Sequence, residues 1–93
     1  MSIDQSIVFI ALQMNEDTRP IIEAIQIDNP NATVNYLPAM VKIDAPNRLV
    51  LKRKTVEEII GNKWDLQSIN INLISLSGNV EETDEEMILH WNR

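Results

Sequence analysis

Residues 6–14, SIVFIALQM, form a continuous apolar run in which the β-branched residues Ile and Val are frequent. A run of this length is too short for a buried helix with its own caps, and it is typical of a strand covered on both faces. We therefore predict a central strand here, around which the core forms.

The 93-residue chain has room for one domain, which we assign to residues 1–93. A domain of this size buries about 60% of the surface that its unfolded chain exposes. Apolar residues make up 44% of the chain, with two glycines and four prolines. This composition is typical of a folded globular protein and not of a disordered one.

Helix signals follow the apolar run directly. Asp17 or Thr18 is placed to serve as N-cap, Pro20 stands in the first turn, and the pair Asn29 and Pro30 ends the pattern. The apolar positions on one stripe of this helix are Ile21, Ile22 and Ile25. The pattern predicts a helix of about three turns.

Three strands are predicted next. Residues 32–37 and 39–44 are separated by Pro38, which cannot donate to a strand ladder and marks a bend or a sheet edge. Ala-Pro-Asn at 45–47 has the chemistry of a turn, so residues 39–54 are interpreted as a hairpin whose returning strand is 48–53.

A second helix is predicted over residues 55–61. Thr55 and Glu58 match a capping box, and Gly61 ends the pattern. The residues expected to face inward are Val56, Ile59 and Ile60. A connector containing Trp64 follows this helix.

The stretch NINLISLSGN, residues 70–79, alternates like a half-buried strand and then changes face. Leu73 and Ile74 are adjacent apolar residues, after which the alternation restarts and ends at Gly78. Such a switch indicates a β-bulge or a strand that leaves one packed layer for another. In the functional interpretation, Ile74 or Leu76 forms an exposed ridge with the neighbouring serines, and Gly78 lets another backbone approach.

The acidic stretch 80–86 is predicted to be a solvated loop, and residues 87–91, MILHW, a last strand. The predicted order is therefore β-α-β-β-β-α-β-β. Strands and helices in this order indicate an α+β domain with a mostly antiparallel sheet and helices packed on one face.

The sequence lacks the residue patterns of most catalytic and metal sites. It has no cysteine and one histidine, His90, which is interpreted as structural or solvated. The two glycines are too few for a phosphate-binding loop, and the acidic stretch lacks the ligand spacing of an EF-hand. We expect no catalytic, cofactor-binding or metal-binding residues.

Charge and hydropathy narrow the possible partners. The net charge of −6 at pH 7 repels phosphate backbones and anionic membranes, so neither a nucleic acid nor a membrane is expected. The N-terminus has no signal-peptide pattern, no apolar run has membrane-spanning length, and a cysteine-free chain fits a reducing compartment. We therefore expect a soluble, cytoplasmic protein.

Several residues have both a structural and a binding interpretation. The basic run 52–54 is interpreted as an exposed strand end that discourages aggregation, with docking of an acidic partner as the alternative. Trp64 and Trp91 are interpreted as core or rim packing, although a tryptophan at an edge also anchors binding surfaces. Met40, next to the bend at Pro38, likewise has both interpretations, packing and a binding surface.

Four segments, taken in order, give the chain a family resemblance: IEAIQIDNPNATV, LPAMVKIDAP, TVEEIIG and LISLSGN. Their order and spacing resemble the small regulatory proteins of bacterial multicomponent monooxygenases, the family of methane monooxygenase component B and the phenol hydroxylase P2 component. The resemblance extends from about Ile7 to Trp91 and is strongest to the phenol hydroxylase branch. The methane-oxidising members have a long N-terminal tail, whereas six residues precede Ile7 here.

The resemblance implies a function without turnover of its own. Such a protein carries no cofactor, binds a di-iron hydroxylase oligomer over its active-site region, and couples the use of oxygen and of electrons from a flavin and iron-sulfur reductase to aromatic hydroxylation. The resemblance places the hydroxylase contacts on the strand that ends at Gly78. The predicted contact residues are Asn72, Ile74, Ser75, Leu76, Ser77 and Gly78, with Met40 and Trp64 added from their placement.

Three alternatives remain open from the residues alone. A small α+β domain can bind a metabolite between sheet and helices, and it would then respond to that ligand without a partner. An enzyme would show turnover as an isolated chain. A permanently embedded subunit would be poorly soluble alone, which the net charge of −6 disfavours.

Overall fold

The apolar run near the start of the chain forms strand β1, Ile7–Gln13, in the computed structural model, which describes residues 7–91. Strand β1 pairs with β3 (Met40–Pro46) on one side and with β5 (Leu73–Ser77) on the other, and β3 also pairs with β2 (Thr33–Leu37). The first sheet therefore has the order β2-β3-β1-β5, and the predicted central position of β1 is confirmed. The predicted start at residue 6 lies outside the described residues.

A second sheet and two helices complete the core. Strands β4 (Arg48–Lys52), β6 (Asn79–Glu82) and β7 (Glu86–His90) form this sheet in the order β4-β7-β6. Helices α1 (Arg19–Asp28) and α2 (Arg53–Ile60) contact each other and β4. Every strand pair in both sheets is antiparallel. The α+β class and the predicted order are confirmed. The loop predicted over residues 80–86 is wrong in part, because residues 80–82 belong to the additional strand β6 and Glu86 begins β7.

The hairpin predicted over residues 39–54 is wrong. Its first strand, β3, lies between β1 and β2, whereas its second strand, β4, pairs with β7 in the other sheet. Both edges of β3 are already occupied, so β4 has no edge there to join. Asn47, with φ +68°, turns the chain from one sheet to the other. The actual hairpin is β2-β3, which turns at Pro38 and Ala39 where the sequence predicted a bend.

Two single residues link the sheets. Asn47 connects β3 to β4, and Gly78, with φ +129°, connects β5 to β6. The indole N–H of Trp91 donates to the backbone oxygen of Ile7 at 2.8 Å, which joins the end of β7 to the start of β1. A glycine follows the last residue of β5, Ser77, because the corner between the sheets needs the positive φ of Gly78.

One apolar core is shared by both sheets and both helices. Strands β1, β3, β4 and β7 and both helices contribute side chains with no accessible surface, among them Ile10 on β1, Ile25 on α1, Ile43 on β3, Leu49 on β4, Val56 on α2 and Leu89 on β7. No helix among residues 7–91 is long and apolar enough to cross a membrane.

The ends of the two helices differ in part from the prediction. Thr18 is the N-cap residue of α1, as predicted, but its hydroxyl bonds to the backbone of Asn15 and not to the helix. Helix α2 begins at Arg53, so the capping box at Thr55 is wrong: the Thr55 hydroxyl donates to the Asp28 carboxylate at 3.1 Å. Gly61 ends α2 in the left-handed conformation, as predicted.

The side chain of Asn29 connects the end of α1 to the edge of the second sheet. Its amide nitrogen donates to the backbone oxygens of Ile25 and Val50, both at 2.7 Å, and its amide oxygen accepts from the Val50 N–H at 2.9 Å. Val50 lies on β4, which is an edge strand. The amide of Asn29 therefore takes the place of a neighbouring strand at this edge.

Asn29→Ala is expected to lower the free energy of unfolding by about 2–4 kcal/mol, because three hydrogen bonds are lost and half-buried backbone groups of Val50 lose their partner. Denaturation in urea measures this change. Asn70→Ala is the matched control, since the Asn70 side chain is exposed and donates one bond, to Gln67, with an expected loss under about 1 kcal/mol. Equal losses in the two variants would contradict this role of Asn29.

Candidate functional site

Strand β5 is an edge strand of the first sheet, because β1 pairs with one of its sides and no other described strand pairs with it. The opposite edge of this sheet is β2. The candidate contact residues of β5 therefore lie where another protein can approach without displacing a strand.

The predicted β-bulge is present at Ile74. Ala11 of β1 is opposite Ser75, but the next residue, Leu12, is opposite Leu73, so Ile74 has no partner in the register. Leu73 and Leu76 both pack against the core. The extra residue leaves two consecutive side chains, Ile74 and Ser75, facing outward, and Ile74 is 47% exposed.

The other predicted contact residues of β5 are less accessible. Leu76 and Ser77 are half-buried, and Leu76 packs on the core. Gly78 is also half-buried, and the backbone close to it belongs to His90 of the same chain, whose oxygen and nitrogen would lie 3.4 and 3.5 Å from an added Cβ. A contact between these three residues and a partner stays a prediction.

The strand predicted for residues 70–72 is wrong, because a 3-10 helix, Leu66–Ile71, precedes β5. The Asp65 carboxylate accepts from the Gln67 N–H at 3.1 Å and caps this helix. Leu66 and Ile69, three residues apart, are its buried residues. The Asp65 cap and this spacing are the sequence signals that could have identified the helix. Sequence reasoning missed Ile71, the last helix residue, which is 76% exposed.

Asn72 lies between the 3-10 helix and β5 and is buried, with 8% of its surface exposed. Its side-chain oxygen accepts from the Asn15 amide at 2.8 Å, and its backbone oxygen accepts from the Gln13 N–H at 2.9 Å. The first bond ties the turn before α1 to the residue that precedes β5, and the second ties the end of β1 to the same residue. The contact role of Asn72 stays a prediction. Little of the surface of this residue is accessible to a partner.

Trp64 and Met40 lie apart from the exposed residues of β5. Trp64 is half-buried against the core, its backbone N–H donates to the Glu57 carboxylate at 3.0 Å, and it shares with Asn72 a surface cleft of about 370 Å³. Met40 is half-buried at the start of β3, beside the β2-β3 turn. The structure thus distributes the eight predicted contact residues over β5, one cleft and one turn.

His90 and one residue of the basic run 52–54 pair with carboxylates. His90 Nε2 lies 2.8 Å from a carboxylate oxygen of Glu81 on the neighbouring strand. In the basic run, Arg53 lies in α2 and forms ion pairs with Glu57 at 3.7 Å and Glu85 at 3.6 Å. Among residues 7–91, no group of three His, Cys, Asp or Glu side chains is arranged to hold a metal ion.

Comparisons with known proteins give consistent matches over nearly the whole chain. The family model of the MmoB/DmpM family matches residues 6–90. The stimulatory component DmpM of phenol 2-monooxygenase from Pseudomonas sp. (strain CF600) is 45% identical over 86 residues, which cover 92% of this chain and 96% of that protein.

Solved structures match in the same way. A chain of the phenol hydroxylase–regulatory protein complex superposes with a TM-score of 0.89 at 49% identity, covering 92% of this chain and 99% of that chain. The regulatory protein B of soluble methane monooxygenase has a TM-score of 0.74 at 14% identity, covering 99% of this chain and 70% of that chain. At this low identity, the second match shows a shared fold alone.

Proposed function

The chain belongs to the MmoB/DmpM family, and from this membership we propose that it is the regulatory component of a multicomponent monooxygenase that hydroxylates phenol or a related aromatic compound. It is not catalytic itself and binds the di-iron hydroxylase. The observation that carries this proposal is the 45% identity, over 92% of the chain, to a stimulatory component of phenol 2-monooxygenase. The match to a chain of the phenol hydroxylase–regulatory protein complex supports hydroxylase binding.

The proposed hydroxylase contact is centred on Ile74 and Ser75 of β5. These side chains are adjacent, exposed and placed by the bulge on an edge strand. A stable interface buries about 1,600 Å² in total, and its dry centre favours an apolar side chain such as Ile74. The remaining predicted contact residues are proposed to lie around this centre: Asn72, Leu76, Ser77, Gly78, Met40 and Trp64.

The proposed mechanism is a shift in the population of hydroxylase conformers. A protein without a cofactor changes the hydroxylase by binding one conformer more tightly than another, which increases the share of that conformer. A tenfold change in the equilibrium requires about 1.4 kcal/mol of differential binding. One well-packed contact at Ile74 is sufficient for a difference of this size.

The proposal includes two further elements. The regulatory component acts together with a flavin and iron-sulfur reductase, since the reductase supplies the electrons whose use is coupled to hydroxylation. The protein is placed in the cytoplasm, where its cysteine-free composition fits the reducing conditions.

Titration of the chain into a purified phenol hydroxylase and its reductase tests the proposal. Phenol hydroxylation is expected to rise at least tenfold and to saturate near one copy of the chain per di-iron site. The fraction of reductant that yields hydroxylated product is expected to rise in parallel. The control is the same mixture with an equal concentration of an unrelated acidic protein. An unchanged hydroxylation rate together with unchanged reductant consumption would overturn the proposed function.

A further inference from the structure

We propose that the cleft beside Trp64 receives an apolar side chain of the hydroxylase that is flanked by a lysine or arginine. This inference rests on the proposed function and adds a second contact region to the one on β5. The cleft lies between the turn before α1, the end of α2 and the 3-10 helix, and its volume is about 370 Å³.

The cleft has an apolar lining that the fold leaves uncovered. Ile71 is 76% exposed and Ile60 is 39% exposed, and both line the cleft together with the half-buried Trp64. The sequence pattern predicted that Ile60 faces the core, so its exposure is contrary to the amphipathic pattern of α2. Exposed apolar side chains grouped around a tryptophan are typical of a protein contact surface.

The walls of the cleft are held in place by hydrogen bonds before any partner binds. The Asn15 amide donates to Asn72 at 2.8 Å. This bond joins the turn before α1 to the end of the 3-10 helix. The backbone N–H of Trp64 donates to Glu57 of α2 at 3.0 Å, which fixes the opposite wall. A preformed cleft of this kind costs less conformational entropy on binding than a flexible one.

The charges around the cleft select the occupant. Glu16 and Asp17 are exposed residues of its lining, and no lysine, arginine or histidine among residues 7–91 lines it. A cleft that combines apolar side chains with acidic ones in its described lining complements an apolar side chain next to a basic one. The same acids repel phosphate groups, so the charges favour a protein surface over a nucleic acid or an anionic membrane.

The cleft lies close along the chain to the proposed contact on β5. Ile71 ends the 3-10 helix, and Ile74 follows three residues later at the bulge. Both side chains are exposed. A single hydroxylase surface that contacts Ile74 therefore lies within reach of the cleft.

The apolar part of the inference is tested by Ile71→Ser, with Ile27→Ser as the matched control. Ile27 is also an exposed isoleucine, 57% accessible, but it lies on α1 and does not line the cleft. Calorimetric titration of purified phenol hydroxylase with the full chain is expected to give a Kd about tenfold weaker for Ile71→Ser, and a change of less than twofold for Ile27→Ser.

The charged part is tested with isosteric substitutions, so that the shape of the cleft is kept. Glu16→Gln/Asp17→Asn is expected to weaken binding about fivefold and to reduce its dependence on salt. Glu82→Gln/Asp84→Asn, at the β6-β7 turn, removes the same net charge outside the cleft and is expected to change Kd by less than twofold.

The outcomes separate this inference from the proposed function. If the unaltered chain binds and stimulates the hydroxylase but each cleft variant behaves like its control, the cleft assignment is overturned and the proposed function stands. If the unaltered chain does not bind, both fail. A dimer of the isolated chain that Ile71→Ser dissociates would assign the cleft to a second copy. In the Trp91→Phe variant, Trp64 is the one tryptophan left of the two in the chain. A change in its fluorescence when phenol is added would assign the cleft to a small ligand.

Discussion

Gly78→Ala is expected to lower the free energy of unfolding by about 2–4 kcal/mol, the largest loss of stability predicted for a change that adds one methyl group. Gly78 has φ +129°, a conformation that residues with a side chain rarely adopt and that costs about 1–3 kcal/mol. An added Cβ would also lie 3.0 Å from Cγ1 of Val8 and 3.4 Å from the backbone oxygen of His90. Neither neighbour can move easily, since Val8 is fully buried and His90 belongs to strand β7.

Thermal unfolding provides the measurement, and Gly61→Ala provides the matched control. Gly61 also has a positive φ, +72°, but an added Cβ there would have nothing within 4 Å. We expect Gly61→Ala to cost about 1 kcal/mol, the cost of the left-handed conformation alone. In a domain of this size, the larger loss at Gly78 corresponds to a decrease in Tm of about 10–25 °C.

A double-mutant cycle with Val8→Ala separates the two causes at Gly78. Val8→Ala removes Cγ1 and destabilises the core by itself. If the contact with Val8 contributes, the double variant loses at least about 0.5 kcal/mol less than the sum of the single losses. Equal losses for Gly78→Ala and Gly61→Ala would show that the corner between the sheets tolerates a side chain.

The parts of the fold that local sequence determines were predictable. The run of β-branched residues identified β1 because one face of this strand is fully buried, with no accessible surface on Val8, Ile10 and Leu12. The opposite face is covered in part, since Phe9 is half-buried and Ile7 is 46% exposed. The position of α1 followed from Thr18, Pro20 and the Asn29-Pro30 pair, which act through the backbone next to them.

Pairing between distant strands was not predictable, because it depends on which edges remain open. Asn47 has the chemistry of a hairpin turn and also of a corner between sheets, since both need the left-handed conformation that asparagine tolerates. The choice was made by β1 and β2, which occupy both sides of β3. Residues 70–72 likewise alternate as a strand would, but the Asp65 cap places them at the end of a 3-10 helix.

The bulge in the candidate site was predictable, and the exposure of its residues was less so. Two adjacent apolar residues, Leu73 and Ile74, indicated the bulge, because a regular strand cannot place both on one face. The sequence did not indicate whether Ile74 or Leu76 forms the exposed ridge. That depends on Leu73 and Leu76 both reaching the core, which leaves Ile74 outside. The exposure of Ile71 and Ile60 depends on the cleft between three elements, and no local pattern encodes it.

Ile74→Asp is expected to weaken binding to the hydroxylase at least a hundredfold, the largest functional effect predicted. Ile74 is 47% exposed in the isolated chain and lies at the proposed dry centre of the interface. A carboxylate there loses its water without gaining a partner, and the cost of such a change in other interfaces is about 2–5 kcal/mol. The substitution leaves the core intact because Leu73 and Leu76, on either side, supply the packing.

Val80→Asp is the matched control for Ile74→Asp. Val80 is also an apolar residue on an edge strand, β6 of the second sheet, and its exposure of 44% is nearly the same. Both variants place one additional negative charge on the surface, so a difference between them reflects position alone. Calorimetric titration of phenol hydroxylase is expected to show a Kd within about threefold of the unaltered chain for Val80→Asp. Equal weakening by both substitutions would move the contact away from β5.

The hydroxylation rate at saturating concentration of Ile74→Asp distinguishes two roles of the side chain. If Ile74 provides affinity for every conformer of the hydroxylase equally, a sufficient excess of the variant restores the full rate. If Ile74 contacts only the activated conformer, the rate at saturation stays low, because the variant no longer shifts the conformer population. We expect the second result, since a protein without a cofactor changes hydroxylase activity only through contacts that differ between the two conformers.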